Sequence, residues 1–348
     1  MTQLRLLTVH AHPDDEASKG AATVAKYVAE GVEVMIATCT GGERGDVLNP
    51  KLKNPENEKQ LAEIRKKEMA ESIKVLGAKH TWLGFEDSGW PDGDPKPPLP
   101  KGCFAEISVE EAAKPLIKLI REFKPQVLIT YDENGGYPHP DHIRCHEITM
   151  FAYENAGRVN KYSDLGFAWQ PFKLYYQMSF NSNQMKAIDN AFKELGKTNP
   201  YAEWMDESDD DSHRITTQIN CAEYFDKRDQ ALLAHATQVD PDGDWFALPT
   251  DVAKRIWPTE DYQLAITRVA TKTPETDLFA GLRQIENMLN KIILFLAETP
   301  APEIDPDRVR PGLAGLLAFF LLGLAVAAIS YFMNRSLKRT DKNFKDQN

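Results

Sequence analysis

Residues 4–16, LRLLTVHAHPDDE, run an apolar segment directly into two histidines and three acids. Residues 4–9 read as a short buried strand. Beyond the acids, Ala17, Ala21, Val24, Ala25 and Val28 recur at helical spacing as far as Gly31, which predicts a helix. A helix start accounts for part of the cluster. Pro13 suits the first helical position, and Asp14, Asp15 and Glu16 would sit at the positive end of the helix dipole. It gives no reason for His12.

Working outward, residues 32–38, 127–131 and 174–180 read as further strands, and residues 61–76, stopped by Gly77, and 113–120 as helices. Strands alternating with helices predict an α/β fold, a Rossmann-like, mainly parallel sheet with helices on both faces. In such sheets the reactive loops converge outside the carboxyl ends of the strands. HAHPDDE (10–16), TGGERGD (40–46) and YDENGGYPHPDHIRCH (131–146) are therefore expected on one rim.

The rim is rich in metal donors. His12 and Asp15 are three apart, as are His139 and His142, with Asp14 and Asp141 as spare acids. A catalytic zinc site wants three protein ligands and one open position, drawn from this mix. Two plainer readings compete. HPDH (139–142) is also a helix start, with Pro140 at its first position, although that explains neither histidine. His142, Cys145 and His146 fall on one helix face and form a rival, structural metal trio. TGGERGD lacks the GxxxxGK[ST] pattern, and its acids Glu43 and Asp46 would repel phosphate, so its glycines read as a sharp turn beside a polar ligand.

Composition narrows the partners. The 348 residues carry a net charge of −11 with a pI near 5.3, which argues against a nucleic-acid surface. Cys39, Cys103, Cys145 and Cys221 form no CxxC pair and suit a reducing compartment. The first residues show no secretory signal. Residues 312–333 contain no charge over 22 residues, enough for a helix of roughly 33 Å and hence a membrane span.

The expected organisation is a catalytic part over 1–282, with a parallel-sheet core over about 1–180 and an appended part over about 181–282. An amphipathic helix and Pro-rich linker follow over 283–311, then the span at 312–333 and a basic tail at 334–348. DESDDDSH (206–213) reads as a solvated loop. Arg335, Lys338, Arg339, Lys342 and Lys345, against Arg308 and Arg310, would place the tail in the cytoplasm and the catalytic part outside. The missing export signal points the other way. The expectation adopted is a membrane anchor with the catalytic part cytoplasmic.

AHPDDE together with HPDH resembles the LmbE-like (PIG-L) family of zinc-dependent deacetylases and amidases. The longer stretches VHAHPDDEASKGAAT, TGGERGDVLNP, HTWLGFEDSG, YDENGGYPHPDHIRCH and LLAHATQVDP resemble the branch of that family that cleaves S-conjugates of mycothiol. The likeness runs from residue 4 to 282. It implies that His12, Asp15 and His142 bind the metal and that Asp14 is the general base. It further implies that His139 polarises or protonates at the reacting amide and that Tyr137 steadies the oxyanion. Glu43, Arg65 and Asp87 would contact sugar or inositol hydroxyls.

The implied reaction is hydrolysis of the amide between N-acetylcysteine and glucosaminyl-inositol in a small-molecule thiol conjugate, serving detoxification and mycothiol recycling. The alternative within the family is deacetylation of N-acetylglucosaminyl-inositol. Lys19 resembles the amidase branch, where the deacetylases carry a small residue. The implied cofactor is Zn2+, and Fe2+ suits the same donor types. Taken without the resemblance, Arg65 and Lys19 are ordinary exposed helix charges, and His235 in AHATQ reads as a satisfied structural histidine. The family's members are soluble and end soon after the counterpart of residues 276–282, so the segment beyond looks like a single-span membrane protein joined in frame. Nothing in the sequence specifies the oligomeric state.

Overall fold

The computed structural model describes residues 3–202, 205, 211–283, 317, 318, 320–322 and 324. Seven strands form one sheet: β1 Arg5–His10, β2 Glu33–Thr40, β3 Lys79–Phe85, β4 Val127–Thr130, β5 Lys173–Gln177, β6 Thr217–Asn220 and β7 Thr259–Thr267. Their order is β3-β2-β1-β4-β5-β7-β6. β1 to β5 pair in parallel, whereas β7 runs antiparallel to both β5 and β6. The sheet is thus mixed.

β3 and β6 escape a search for apolar runs for physical reasons. β3, KHTWLGF, is an edge strand that is only half-buried, and β6, TQIN, buries alternate residues of which Ile219 alone is apolar.

The helices are α1 Asp15–Ser18, α2 Ala21–Ala29, α3 Pro55–Lys59, α4 Leu61–Leu76, α5 Val109–Phe123, α6 Pro140–Asn155, α7 Ser182–Glu194, α8 Phe225–Ala234 and α9 Thr250–Ile256. Successive strand residues point to opposite faces. Leu6, Val34, Ile36, Val127 and Ile129 share one core with Val24 of α2, Met69 of α4 and Ala231 of α8. Leu7, Val9, Ala37, Leu128 and Leu174 share the other with Leu116 and Ile120 of α5 and Ile148 and Ala152 of α6. Helices cover both faces, as the alternating pattern predicts.

The helix expected from Ala17 to Val28 breaks at Lys19-Gly20. Gly20 has φ +95°, and a Cβ there would lie 3.1 Å from Gln177 Nε2 and 3.2 Å from Tyr262 Oη. A residue with a side chain would be strained there, and its neighbours would have to give way by a few tenths of an ångström. The first helix also starts later than expected. Pro13 lies in a turn, and Asp14, at φ +93°, precedes α1 in the left-handed region.

β1 is flanked by β2 on one side and β4 on the other, so the chain leaves it in opposite directions and opens a crevice at its carboxyl end. All the donor-rich loops emerge there.

The chain divides into two compact units, Met1–Asn290 and Lys291–Asn348. The amphipathic helix, linker and tail expected beyond residue 283 lie outside the described residues. So does most of the expected span at 312–333. Of that stretch, residues 317, 318, 320–322 and 324 are described, helical and exposed. Among the described residues no helix is long and apolar enough to cross a membrane.

One buried ion pair ties residues 271–280 to the sheet. Lys173 Nζ on β5 donates to Glu275 Oε1 at 2.6 Å, and both side chains are shielded from solvent. Glu275 Oε2 accepts from Tyr175 Oη at 2.6 Å and Thr217 Oγ1 at 3.0 Å. Breaking such a pair from one side leaves an uncompensated charge. Lys173→Met is expected to cost about 3–5 kcal/mol in urea unfolding; a loss below about 1 kcal/mol would mean that Glu275 finds another partner or protonates without penalty.

Candidate active site

The crevice is built first from the turn after β1. His10 closes the strand, buried, and burial lowers its pKa to about 4. The chain then turns so that Asp15 Oδ2 accepts the backbone N–H of His12 at 2.9 Å. Asp15 Oδ1 accepts from Lys19 Nζ at 2.7 Å, one helical turn later. Burial works against the Asp15 charge, but Lys19 and His142, with His12, hold its carboxyl well below the usual range.

Asp14 projects from the left-handed position beside it. Burial pushes its carboxyl above the ordinary value despite the Arg65 guanidinium, and the Asp15 charge adds to that push.

The loop from β4 into α6 supplies the other wall. His139 is the N-cap of α6, its Nδ1 accepting the Asp141 N–H at 3.1 Å, and Pro140 takes the first helical position. The helix start and the histidine cluster are therefore one feature. Burial, then the charges of His12 and His142, lower the pKa of His139 to about 4. His142 donates Nδ1–H to the Gly135 carbonyl at 2.9 Å, which turns Nε2 toward Asp15 Oδ2 at 3.4 Å. Tyr137, exposed at 43%, holds its ring 4.5 Å from that of His142 and 6.0 Å from Lys19 Nζ.

One donor atom each from His12, Asp15 and His142 lie within 4.8 Å of one another, and so do one each from His12, Asp87 and His139. Buried His142 Nε2 has no hydrogen-bond partner. With Nδ1 tied to a carbonyl, its lone pair is oriented as a metal-ligating histidine requires. The residues therefore fit a divalent ion. The rival trio does not assemble: Cys145 Sγ faces the Val9 carbonyl at 3.6 Å and His146 Nδ1 faces the Tyr131 carbonyl at 3.0 Å.

Glu43, Arg65 and Asp87 meet on the β2 and β3 side. Arg65 is buried, not on an exposed face; it donates from Nη1 to the Gly42 carbonyl at 2.9 Å and from Nη2 to Asp14 Oδ2 at 3.3 Å. The sharp turn expected of the TGGERGD glycines is needed for this contact, because a Cβ on Gly42 would fall 1.8 Å from Arg65 Nη1. Asp87 accepts from the Gly89 and Arg44 N–H groups at 2.8 and 3.0 Å, and its own N–H donates to Glu43 Oε1 at 2.8 Å. Burial opposes the Asp87 charge, yet His12 and those backbone donors keep its carboxyl below the usual range.

Three residues support the site in ways the sequence reading did not assign. Asp141, a spare acid by spacing, is fully buried and faces His12 Nε2 at 3.1 Å while accepting the Ser88 N–H at 2.9 Å and the Ser88 hydroxyl. Glu16 Oε2 accepts the Asp14 N–H at 3.0 Å, and Glu16 Oε1 is held by His235 Nε2 and Ser72 Oγ, both at 2.6 Å. That chain steadies the left-handed Asp14 and gives His235 its structural partner. Arg214 holds Asp132 Oδ2 at 2.9 Å while Asp132 Oδ1 accepts the Gly136 N–H, also at 2.9 Å, fixing the loop that presents Tyr137. Arg214 lies in the region where the sequence pattern fades, so only its position in space identifies it.

Comparison with known proteins places the chain in a family. Residues 7–153 match the family described as GlcNAc-PI de-N-acetylase (PIG-L). The chain is 54% identical over 287 residues to a mycothiol S-conjugate amidase of Streptomyces coelicolor, covering 81% of this chain and 98% of that protein. It is 39% identical over 291 residues to a 1D-myo-inositol 2-acetamido-2-deoxy-alpha-D-glucopyranoside deacetylase of Geodermatophilus obscurus, covering 80% and 98%. Among solved structures, N,N'-diacetylchitobiose deacetylase from Pyrococcus horikoshii superposes with a TM-score of 0.52 at 19% identity, over 76% of this chain and 84% of that one. A 4-carboxy-2-hydroxymuconate hydratase from Pseudomonas putida superposes with a TM-score of 0.51 at 16% identity, over 78% and 99%. Those two likenesses concern the fold, which evidently hosts more than one chemistry. Sequence motifs, site geometry and relatives agree that this chain is an enzyme that belongs to the PIG-L family.

Proposed function

We propose that the protein hydrolyses the amide of mycothiol S-conjugates, releasing an N-acetylcysteine S-conjugate and glucosaminyl-inositol. The observation that carries the reading is the His12, Asp15 and His142 donor trio with Asp14 beside it, in a chain 54% identical to a protein named for that reaction. The proposed ion is zinc, and iron(II) suits the same donors. When bound, the ion supplies Lewis acidity toward the amide carbonyl and toward water.

The chain's own residues supply the rest. Asp14, raised above its ordinary pKa and next to the trio, takes a proton from the attacking water. Water oxygen bonds to the carbonyl carbon, the C–N bond breaks, and the proton passes to the departing amine nitrogen. His139 accepts at Nδ1, so its Nε2 carries the hydrogen and donates toward the reacting amide. The Tyr137 hydroxyl steadies the developing oxyanion.

Glu43, Arg65 and Asp87 offer two carboxylates and a guanidinium to the hydroxyls of the amine product. Lys19 holds Asp15 and faces Tyr137, a position from which it meets the acyl side of the substrate. Attachment to the inner face of a membrane through residues 312–333 is a further proposal, supported by that apolar run alone.

Supplied with a mycothiol S-conjugate and N-acetylglucosaminyl-inositol side by side, the zinc-loaded enzyme is expected to release mercapturic acid faster than acetate by mass spectrometry. Faster acetate release would make it a deacetylase. Asp14→Asn is expected to lower kcat on the order of a hundredfold or more while metal content stays unchanged, and undiminished turnover would remove Asp14 from the mechanism. Lys19→Ser should shift kcat/KM from the S-conjugate toward N-acetylglucosaminyl-inositol; an unaltered ratio would locate the selectivity elsewhere.

A further inference from the structure

A cavity of about 450 Å³ opens beside the donor trio and reaches away from it. Asp14, Asp15 and Lys19 line it, Leu48, Tyr137, Phe180, Leu232, Val239 and Trp245 supply most of its apolar surface, and Ser18, Gln177, Ser179 and Gln238 add polar groups. Glu43, Arg65 and Asp87 are not among the residues that line it. One side of the reacting centre is thus polar and suited to hydroxyls, and the other opens into a chamber with a largely apolar surface. Its size falls within the roughly 300–1,000 Å³ of small-molecule pockets. An acetyl group would fill little of it.

The walls come from separate parts of the chain: Leu48 from the loop after β2, Phe180 from the turn after β5, Leu232 from α8, Val239 and Trp245 from the loop after α8. Leu48 is 63% exposed and Trp245 41% exposed, so the fold leaves large apolar side chains open at the mouth. Phe180 has φ +59°, which a bulky side chain rarely adopts. Its N–H is taken by Gln184 Oε1 at 2.9 Å, and its ring lies 5.6 Å from that of Trp245. Backbone strain of this kind collects at sites that grip a ligand.

We propose that this chamber binds the sulfur-linked substituent of the conjugate and selects for uncharged aromatic or branched aliphatic groups. The proposal rests on the amidase reading above. An amide bound with its carbonyl at the donor trio has two arms. The polyol arm needs hydrogen-bond partners and finds them at Glu43, Arg65 and Asp87, which leaves the acyl arm and its substituent to enter past Lys19. Desolvating that substituent against Leu48, Phe180 and Trp245 supplies binding that depends on its apolar area.

The test compares S-benzyl and S-methyl conjugates of mycothiol as substrates of the full-length, metal-loaded enzyme and of Trp245→Ala. The unsubstituted chain should favour the benzyl conjugate, and the benzyl-to-methyl ratio of kcat/KM should fall at least tenfold in the variant, chiefly through KM. Calorimetric binding of N-acetyl-S-benzylcysteine should weaken at least tenfold in parallel. Should Trp245→Ala fail to fold, Leu48→Ala, at the exposed mouth, carries the same comparison. An unchanged ratio with unchanged binding overturns the proposal, as does an equal loss on both conjugates. If the enzyme releases acetate from N-acetylglucosaminyl-inositol but cleaves neither conjugate, the amidase reading fails first and the chamber's assignment with it.

Discussion

The site depends on keeping one carboxylate ionised out of water. Asp15 is buried, and an isolated buried charge is costly unless it is paired and hydrogen-bonded. Here the His12 N–H and the Lys19 ammonium hydrogen-bond its two oxygens, and His142 Nε2 lies 3.4 Å from Oδ2. Each partner comes with a constraint on the backbone. Lys19 reaches back over one helical turn, just before the helix breaks at Gly20. His142 reaches across only because Gly135 anchors its other nitrogen. Asp14 is forced into the left-handed region by the same turn, with Glu16, Ser72 and His235 holding it there.

The topology explains why this arrangement sits at one end of the sheet. β1 lies at the point where the strand order reverses, so loops from β1, β2, β3 and β4 meet at their carboxyl ends without crossing. The turn after β5, α8 and the loop after α8 add a different kind of wall. They contribute Phe180, Leu232, Val239 and Trp245 to the apolar lining, which Leu48 and Tyr137 from the first half of the chain complete. The buried Lys173 and Glu275 pair locks residues 271–280 against β5 and keeps that second half in register.

Much of this was legible beforehand. The βαβ alternation, the two faces of the sheet and the rim of donors follow from apolar runs and from the placement of HAHPDDE and HPDH after strands. Other parts were not. β6 and β7 pair antiparallel in a region with little apolar periodicity, because burial on alternate residues of a short polar strand leaves no run to detect. Arg65 looked like a surface charge on α4 and is buried, since helical spacing gives a residue's direction and not what lies opposite. Asp141 stands inside HPDH, but nothing there marks it as the partner of His12, and Arg214 lies in no motif at all.

The sequence by itself determined which residue types stand at the ends of which strands, and hence a rim of metal donors, because spacing of three to four residues and strand-loop-helix order are local properties; the hydrolytic reaction came from the family resemblance of its motifs. The family resemblance grouped His12, Asp15 and His142 at one ion, and the tertiary structure supplies the contacts by which His12 and His142, far apart in the chain, both approach Asp15. Tertiary structure alone decided that Arg65 touches Asp14 and that His235 supports Glu16. Those pairings need the sheet to bring distant loops within hydrogen-bond reach, and no local pattern encodes a distance between them.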